Sequence, residues 1–505
     1  MKASERRKLG RRRMSLERRL DRWNWPDSGR PVFRTSSVTY EVSERTSATN
    51  VGGIGAVHML AKKVGLVKAI DEALHLLKIH APYHESDHVL NIAYNIMAGH
   101  DKLEDLEILR QSEAYMDALG AERIPDPTTA GDFLRRFSAM SIIALMNAVN
   151  EIRAGLWKRQ PPEFRRRAII DCDGTMTPTE GEKKRGMGIS YKGIWCYHPL
   201  IISLANTDEP LFIVNRPGNA TSSDDAASWM DRAIALARRA FDGVLLRGDT
   251  DFSLTVNFDR WTHRKVRFVF GYDNCSNLAR IADSLENTRW RRLTRRPRYE
   301  VKTRPRERRE NTKEQIVREN EYENIRLCSE DIAEFSYRPT KCKKTYRMIV
   351  IRKNLSTEKG QQFLFNSTRY FFYITNDPEM SAEEVVWHAN ARCDQENLIE
   401  QLKNGLNALR VPVHDLVSNW AYMVVASLAW TLKAWMGLVQ PRTSDRDEVL
   451  RMEFKRFLHS VMLIPCQIVR RARSVVMRLL AYTDRARLLF ETVAAARRLG
   501  RAALT

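Results

Sequence analysis

The sequence predicts an α/β core, interrupted by an inserted segment of strands and basic residues and flanked by helical regions at both ends. Three observations lead there. Between residues 167 and 273, short apolar runs that end in Asp, Gly or Thr alternate with one well-marked amphipathic helix. A dense basic stretch follows at 289–318, with more strand-like runs behind it. Before 160 and after 379, apolar residues recur at helical spacing.

The elements follow in order. Residues 1–45 read as a basic arm with Arg11, Arg12 and Arg13, then an extended piece with Trp23, Trp25 and Pro26. Residues 46–160 read as helical, beginning near Gly53 with Val57, Leu60, Val64, Leu66, Ile70 and Leu74 at helical spacing. In TTAGDFLRRFS (128–138), Thr128 or Thr129 is placed to cap a helix. A helix-turn-helix and a plain bundle both suit that region. The first part of the core spans 161–288. RAIIDCDGT (167–175), CYHPLIISLAN (196–206) and PLFIVNRPGN (210–219) read as strands. TSSDDAASWMDRAIALARRAF (221–241) opens with capping chemistry and continues as a helix; GVLLRGD (243–249) and VRFVFGYD (266–273) are strands again. The inserted segment spans 289–378, with strands at YRMIVIRKN (346–354) and TRYFFYITN (368–376). The last part of the core, 379–440, reads as a long helix over 382–410 and an apolar one over 417–440. The C-terminal region, 441–505, reads as helical and basic.

Charge narrows the partner. Lys and Arg number 83 against 62 Asp and Glu, a net of +21. Residues 1–30, 289–318 and 467–501 carry net charges of +7, +9 and +7, so the rest of the chain is close to neutral. Three basic segments on a nearly neutral body suit a polyanion touched at several surfaces, although solvated faces give the same count. The seven cysteines are odd in number and scattered, with no C-x-x-C pair. That argues against a disulfide scaffold and for a reducing, cytoplasmic setting. No apolar leader opens the chain, and the longest apolar run, 420–432, stops at Lys433. A spanning helix needs about 20 apolar residues, so a buried helix and no membrane partner are expected.

Three carboxylates bear the chemistry. Asp171 and Asp173 alternate on one strand and share a face. Two acids on a buried face repel unless a cation joins them, and a hard oxygen-liganded ion such as Mg²⁺ answers that; an Asp capping the turn before Gly174 answers it as well. Asp249 and Asp251 end the GVLLRGD run, where sites form beyond strand ends; a turn is again the alternative. In ANARCDQENLIEQLKNGL (389–406), Arg392, Glu396 and Lys403 sit four and seven residues apart. At about 100° per residue they share one narrow helical face. A surface ladder gives that stripe too; a carboxylate between two cations also serves phosphoryl chemistry.

The order Asp, Asp, Glu with R-x3-E-x6-K around the last acid resembles the DDE transposases of bacterial insertion sequences, and is more narrowly similar to the thirteen-eighty family. The matching blocks are IDCDGT, LLRGDTDF, RCDQENLIEQLKNG and NWAYMVVASLAWTLKAW (419–435), covering roughly 165–440. The resemblance implies an RNase H-like core in which Asp173, Asp249 and Glu396 are catalytic and hold two Mg²⁺ ions, with Mn²⁺ able to substitute. Arg392 and Lys403 would be the signature's basic partners. It implies binding of terminal inverted repeats, strand cleavage, transfer into target DNA by transesterification, a homodimer at synapsis, and work at the nucleoid. The family often has Tyr three residues before the Arg; here that position is Ala389, which puts that Tyr's contact in doubt, with Trp387 or His388 the nearby candidates to replace it.

Rival chemistries lack their motifs. No G-x-x-x-x-G-K-[ST] or H-E-x-x-H occurs, which leaves no ATP site. GISYKG (188–193) misses the nucleophile elbow, and its glycines suit a turn near the site. In the basic insertion, Arg291, Arg292, Arg295 and Arg296 are placed to track a duplex, and Trp290 and Tyr299 to stack on a base. A nuclease of the same fold without transposition, and a non-catalytic DNA-binding derivative, remain the alternatives.

Overall fold

The computed structural model describes residues 1–21, 33, 35–43, 46–181, 183–295, 312–320, 323–359, 362–471 and 474–502. Trp23, Trp25, Pro26, Arg296 and Tyr299 lie outside them.

Nine strands share one sheet: β1 (Arg167–Gly174), β2 (Leu200–Leu204), β3 (Glu209–Val214), β4 (Gly243–Gly248), β5 (Arg267–Tyr272), β6 (Arg291–Arg292), β7 (Glu323–Tyr337), β8 (Tyr346–Lys359) and β9 (Gln362–Thr375). Their order across the sheet is β6-β7-β8-β9-β5-β4-β1-β2-β3. β1, β2 and β3 are successive antiparallel neighbours, while β4 and β5 run parallel to β1 on its other side. Covered on both faces, the parallel strands read as continuous apolar runs: Val244, Leu245 and Leu246 of β4 and Phe268, Val269 and Phe270 of β5 are all buried.

Seven helices matter below: α1 (Ala3–Leu20), α2 (Ala139–Lys158), α3 (Ala226–Ala237), α4 (Ala382–Asn390), α5 (Cys393–Glu400), α6 (Leu416–Leu438) and α7 (Ala486–Ala502). α3 makes the crossover from β3 to β4. α6 is long and apolar enough to cross a membrane, yet it is enclosed by protein. Around it, the buried Glu209 carboxylate at the start of β3 accepts from Arg153 Nε at 2.9 Å, Trp435 Nε1 at 3.0 Å, Trp157 Nε1 at 3.2 Å and Thr207 Oγ1 at 2.7 Å. One buried charge, met by one cation and three neutral donors, thus ties α2 and α6 to the sheet's edge.

Residues 289–378, expected as an inserted segment, contribute strands to the same sheet. β9 pairs with β5, and β7 and β8 extend the same sheet outward. The join is short: Phe372–Thr375 meet Val269–Tyr272, and the rest of the ribbon pairs within itself.

Several local expectations change. β7 was not anticipated, because ENIRLCSEDIAEFSY alternates too irregularly to mark a strand. The C-terminal region contains a hairpin, Cys466–Arg471 with Ser474–Leu479, that pairs with Ala48–Thr49; its Ile and Val residues favour strand over helix. The helix expected over 382–410 breaks between Asn390 and Cys393 and closes in a wider π turn at Gln401–Gly405, with neither Gly nor Pro marking the break. The cap of the helix Pro127–Leu134 is Asp126, not Thr128 or Thr129; its carboxylate accepts from Thr129 N and Oγ1. At α3, Thr221 and Asp224 close a turn on each other, and Asp225 at φ +54° precedes the helix without a side-chain cap.

Candidate active site

The sheet brings the ends of β1 and β4 together, because the two run parallel side by side. Register places Asp171 opposite Arg247. Both are buried, and the guanidinium grips the carboxylate with Nε–Oδ1 and Nη2–Oδ2 distances of 2.6 Å each. Asp171 is therefore neutralised by protein. Burial pushes its carboxyl up, against the pull of Arg247.

Asp173 lies two residues on, at the end of β1, and accepts from Gly174 N at 2.8 Å. Burial raises its carboxyl to about 7; Arg392 opposes the shift, and Asp249 and Glu396 add to it. Asp249 follows β4 directly and caps the turn Thr250–Phe252, accepting from Asp251 N at 3.1 Å. Burial raises its carboxyl too, opposed by Arg392. The neighbouring β5 presents Gly271 to this turn. A Cβ there would stand 3.1 Å from Thr250 N and 3.3 Å from the carbonyl carbon of Asp249, so the turn's position depends on glycine. Asp251 is exposed beside it.

α5 supplies the third acid, and the residue just before it the cation. From the break before α5, Arg392 Nη1 stands 3.3 Å from Asp173 Oδ2 and 3.7 Å from Asp249 Oδ2, and its Nη2 stands 3.3 Å from Glu396 Oε1. Three acids separated by up to 223 positions along the chain converge on one guanidinium. Gln395, buried beside Glu396, donates to Ile201 O of β2 at 2.9 Å and pins α5 across the sheet. Lys403 donates to Met176 O at 3.0 Å. Burial lowers its ammonium, opposed by Glu400 and Asp173.

The other expected residues fall elsewhere. Arg295 is held by Glu330 through two hydrogen bonds of 2.6 and 2.7 Å, Arg291 stands 3.5 Å from Glu383, and Arg292 is exposed and reaches Cys328 O. Trp290 is covered by the Arg352 guanidinium, 4.3 Å from its ring centre, so that face is not free to stack. Arg11, Arg12 and Arg13 lie on α1. Ala389 is partly buried against the cluster of Val385 and Val386. Trp387 is exposed and edge-on to His388, whose carbonyl accepts from Arg247 Nη1 at 3.4 Å and whose ring is pushed down to about 4 by burial. Gly193, at φ +73°, makes the expected turn, joining the strands of a small sheet that leaves β1 just after Asp173. A cavity of about 530 Å³ opens beside it, lined by Trp195, Met187, Lys184 and Glu180 among others.

Sequence reasoning missed Arg247, Gln395, His198 and Arg216. A single Arg inside the apolar run GVLLRGD was a signal that a buried acid faces it. His198 and Arg216 back Gly174, where a Cβ would stand 2.8 Å from His198 Nε2 and 3.4 Å from Arg216 Nη2. Arg216 in turn ties the 221–224 loop through the carbonyls of Thr221, Ser222 and Asp224.

The donor set suits a hard divalent cation: three carboxylates gathered from three elements, one of them raised to about 7 by burial and acidic neighbours. Among the described residues, no three His, Cys, Asp or Glu side chains are drawn together closely enough to ligate one ion, since the acids ring Arg392 instead.

No curated protein matches the chain. Among solved structures it matches a piggyBac transposase synaptic complex with hairpin DNA at 9% identity and a TM-score of 0.34, over 90% of this chain and 88% of that one. A family model described as "Transposase DDE domain group 1" matches residues 35–501. With that match running through β1, β4 and α5 and their three acids, the chain belongs to the DDE transposase domain family, group 1.

Proposed function

We propose that the chain binds the terminal inverted repeats of a bacterial insertion sequence, cuts DNA strands with divalent metal, and joins the freed 3′ ends to target DNA by transesterification. The convergence of Asp173, Asp249 and Glu396 on Arg392 carries this reading. The strand order from β3 through β2, β1 and β4 to β5 supports an RNase H-like core beneath them.

In this reading Asp173, Asp249 and Glu396 hold Mg²⁺, with Mn²⁺ able to replace it. When bound, the metal supplies Lewis-acid polarisation of the phosphate and acidification of a water. The protein's own residues do the rest. Asp171 and Arg247 neutralise each other and fix the end of β1. Gly271 sets the depth of the Asp249 turn. Arg392 now serves as counter-ion to the three acids; once their charge is met otherwise, its guanidinium can hold a phosphate oxygen, as can Lys403. Each transesterification breaks one phosphodiester bond as it forms another, so no ATP is needed. The two ends are brought together by a homodimer. Arg11, Arg12, Arg13, Arg291, Arg292 and Arg295 are proposed DNA contacts, and the bacterial cytoplasm is the proposed site of action.

The test uses the DNA flanking the coding region. With Mg²⁺, a labelled duplex carrying the element's end is cut at that end, and a pre-cut end is joined to plasmid DNA. Asp173→Asn, Asp249→Asn and Glu396→Gln each abolish both steps. Cleavage without joining would leave a nuclease, and full metal-dependent cleavage by Asp173→Ala would overturn the site.

A further inference from the structure

Of the three basic stretches in the sequence, the first and the last meet in space. The Met1 ammonium lies 3.3 Å from Glu491 Oε1 on α7, and Arg12 of α1 donates to the carbonyl of Leu479, the last residue of the strand Ser474–Leu479. α1 itself has no buried residue. It carries Arg6, Arg7, Lys8, Arg11, Arg12, Arg13, Arg18 and Arg19 against Glu5 and Glu17. A helix draws most of its stability from packing an apolar face. One with no buried residue and a strong positive charge lacks that support and gains it from a polyanion. On the adjoining hairpin, Arg471 and Arg478 are exposed, while Arg470 is held by Asp117.

We infer that α1 and the paired strands Cys466–Arg471 and Ser474–Leu479 form one clamp for duplex DNA, with α1 in the major groove and Arg471 and Arg478 on the flanking phosphates. The sizes agree: a helix with its side chains is about 10–12 Å across, and the major groove of B-DNA is about 12 Å wide. Phosphate contacts at the helix's base fix its register, while the helix meets base edges. An anionic membrane is the poorer partner. Met14, Leu16 and Leu20 are the exposed large apolar side chains of α1, too few and too interrupted by arginines to make an apolar face. The inference rests on the reading of the chain as a DNA-processing protein.

The test uses the full-length protein in EDTA with a blunt 30-base-pair duplex of arbitrary sequence. Three variants are compared with the wild type: Arg11→Ala with Arg12→Ala and Arg13→Ala, Arg471→Ala with Arg478→Ala, and all five together. Each set should weaken binding tenfold or more. Each should also lower the slope of log affinity against log salt by about 0.9 for every phosphate the variant no longer neutralises. In hydroxyl-radical footprints on a duplex carrying the element's end, where the protein binds in one register, both sets should lose protection on the same helical turn. Arg11→Lys with Arg12→Lys and Arg13→Lys should restore the slope, which separates missing charge from misfolding. Unchanged affinity and slope in both sets would overturn the clamp, as would loss of protection on distant turns. So would variants that lose binding only to vesicles containing phosphatidylserine. If the wild type cuts its end DNA while these variants bind normally, the clamp alone falls. If the wild type binds no duplex at all, the DNA-processing reading falls with it.

Discussion

Arg247 lies directly across the sheet from Asp171 and holds it through two 2.6 Å hydrogen bonds, both groups closed off from solvent. Removing one partner of such a pair leaves an uncompensated buried charge. Arg247→Met is therefore expected to destabilise the protein by about 3–5 kcal/mol. Replacing both together, with Asp171→Leu and Arg247→Met, should recover much of that loss. Urea denaturation of the single and double variants measures it.

Asp173, two residues away, should behave in the opposite sense. Its carboxyl sits at about 7 because burial and acidic neighbours disfavour its charge. Asp173→Asn removes that charge, and at pH 8 without metal it should raise stability by up to about 4 kcal/mol, the worth of a rise of about three units. The same variant should lose at least about 10³ in cleavage rate, the scale expected when a charge-stabilising group is removed. A melting curve and a cleavage assay on one preparation separate these two effects.

The raised carboxyl also fixes a pH dependence. Folded, Asp173 binds its proton up to about pH 7, against an ordinary 3.8 when unfolded. The folded state thus holds more protons between those values. Metal-free stability falls as pH rises through that window and levels off above about 7. Any ion bound by this carboxylate must displace the proton. Affinity for Mg²⁺ should then drop about tenfold per unit as pH falls below 7, and stay flat above it. Titration calorimetry in buffers of different ionisation enthalpy should record close to one proton released per protein at pH 6.

Gly271→Ala tests the backing of Asp249. The added carbon would press on the backbone of Thr250 at 3.1 Å, and the turn must move by a few tenths of an ångström. Cleavage should fall by about 10–100-fold, since small misplacements at a reacting centre are costly. Stability should change by only about 1 kcal/mol. Equal activity with wild type would show that the turn yields without moving the acid.

Much of this was legible because its signals are local. The runs that became β1, β4 and β5 are apolar on both faces, as parallel strands must be, and the spacing of Arg392, Glu396 and Lys403 puts three polar groups on one side whatever the strand order. What stayed hidden depends on distant pairing. The partnership of Arg247 with Asp171 exists only once β4 lies parallel to β1, which removes Asp171 from the acids in need of a cation. The irregular alternation of β7 makes sense only beside β8. The covering of Trp290 by Arg352 joins residues 62 positions apart. Nothing around Asn390 and Cys393 announces the break that lets Arg392 reach all three acids.

Among the described residues, β9 pairs with β5 along only four residues, and the inner ends of β7, β8 and β9 also pack against α4. At about 3.3 Å per residue, β8 alone is some 45 Å long, so the ribbon's outer end stands far from that packed root. That root is not neutral ground: Tyr373 is paired with Gly271, the residue on which the Asp249 turn rests. Any shift of β9 at Tyr373 therefore presses, through Gly271, on the turn that carries Asp249, one of the three acids proposed to hold metal.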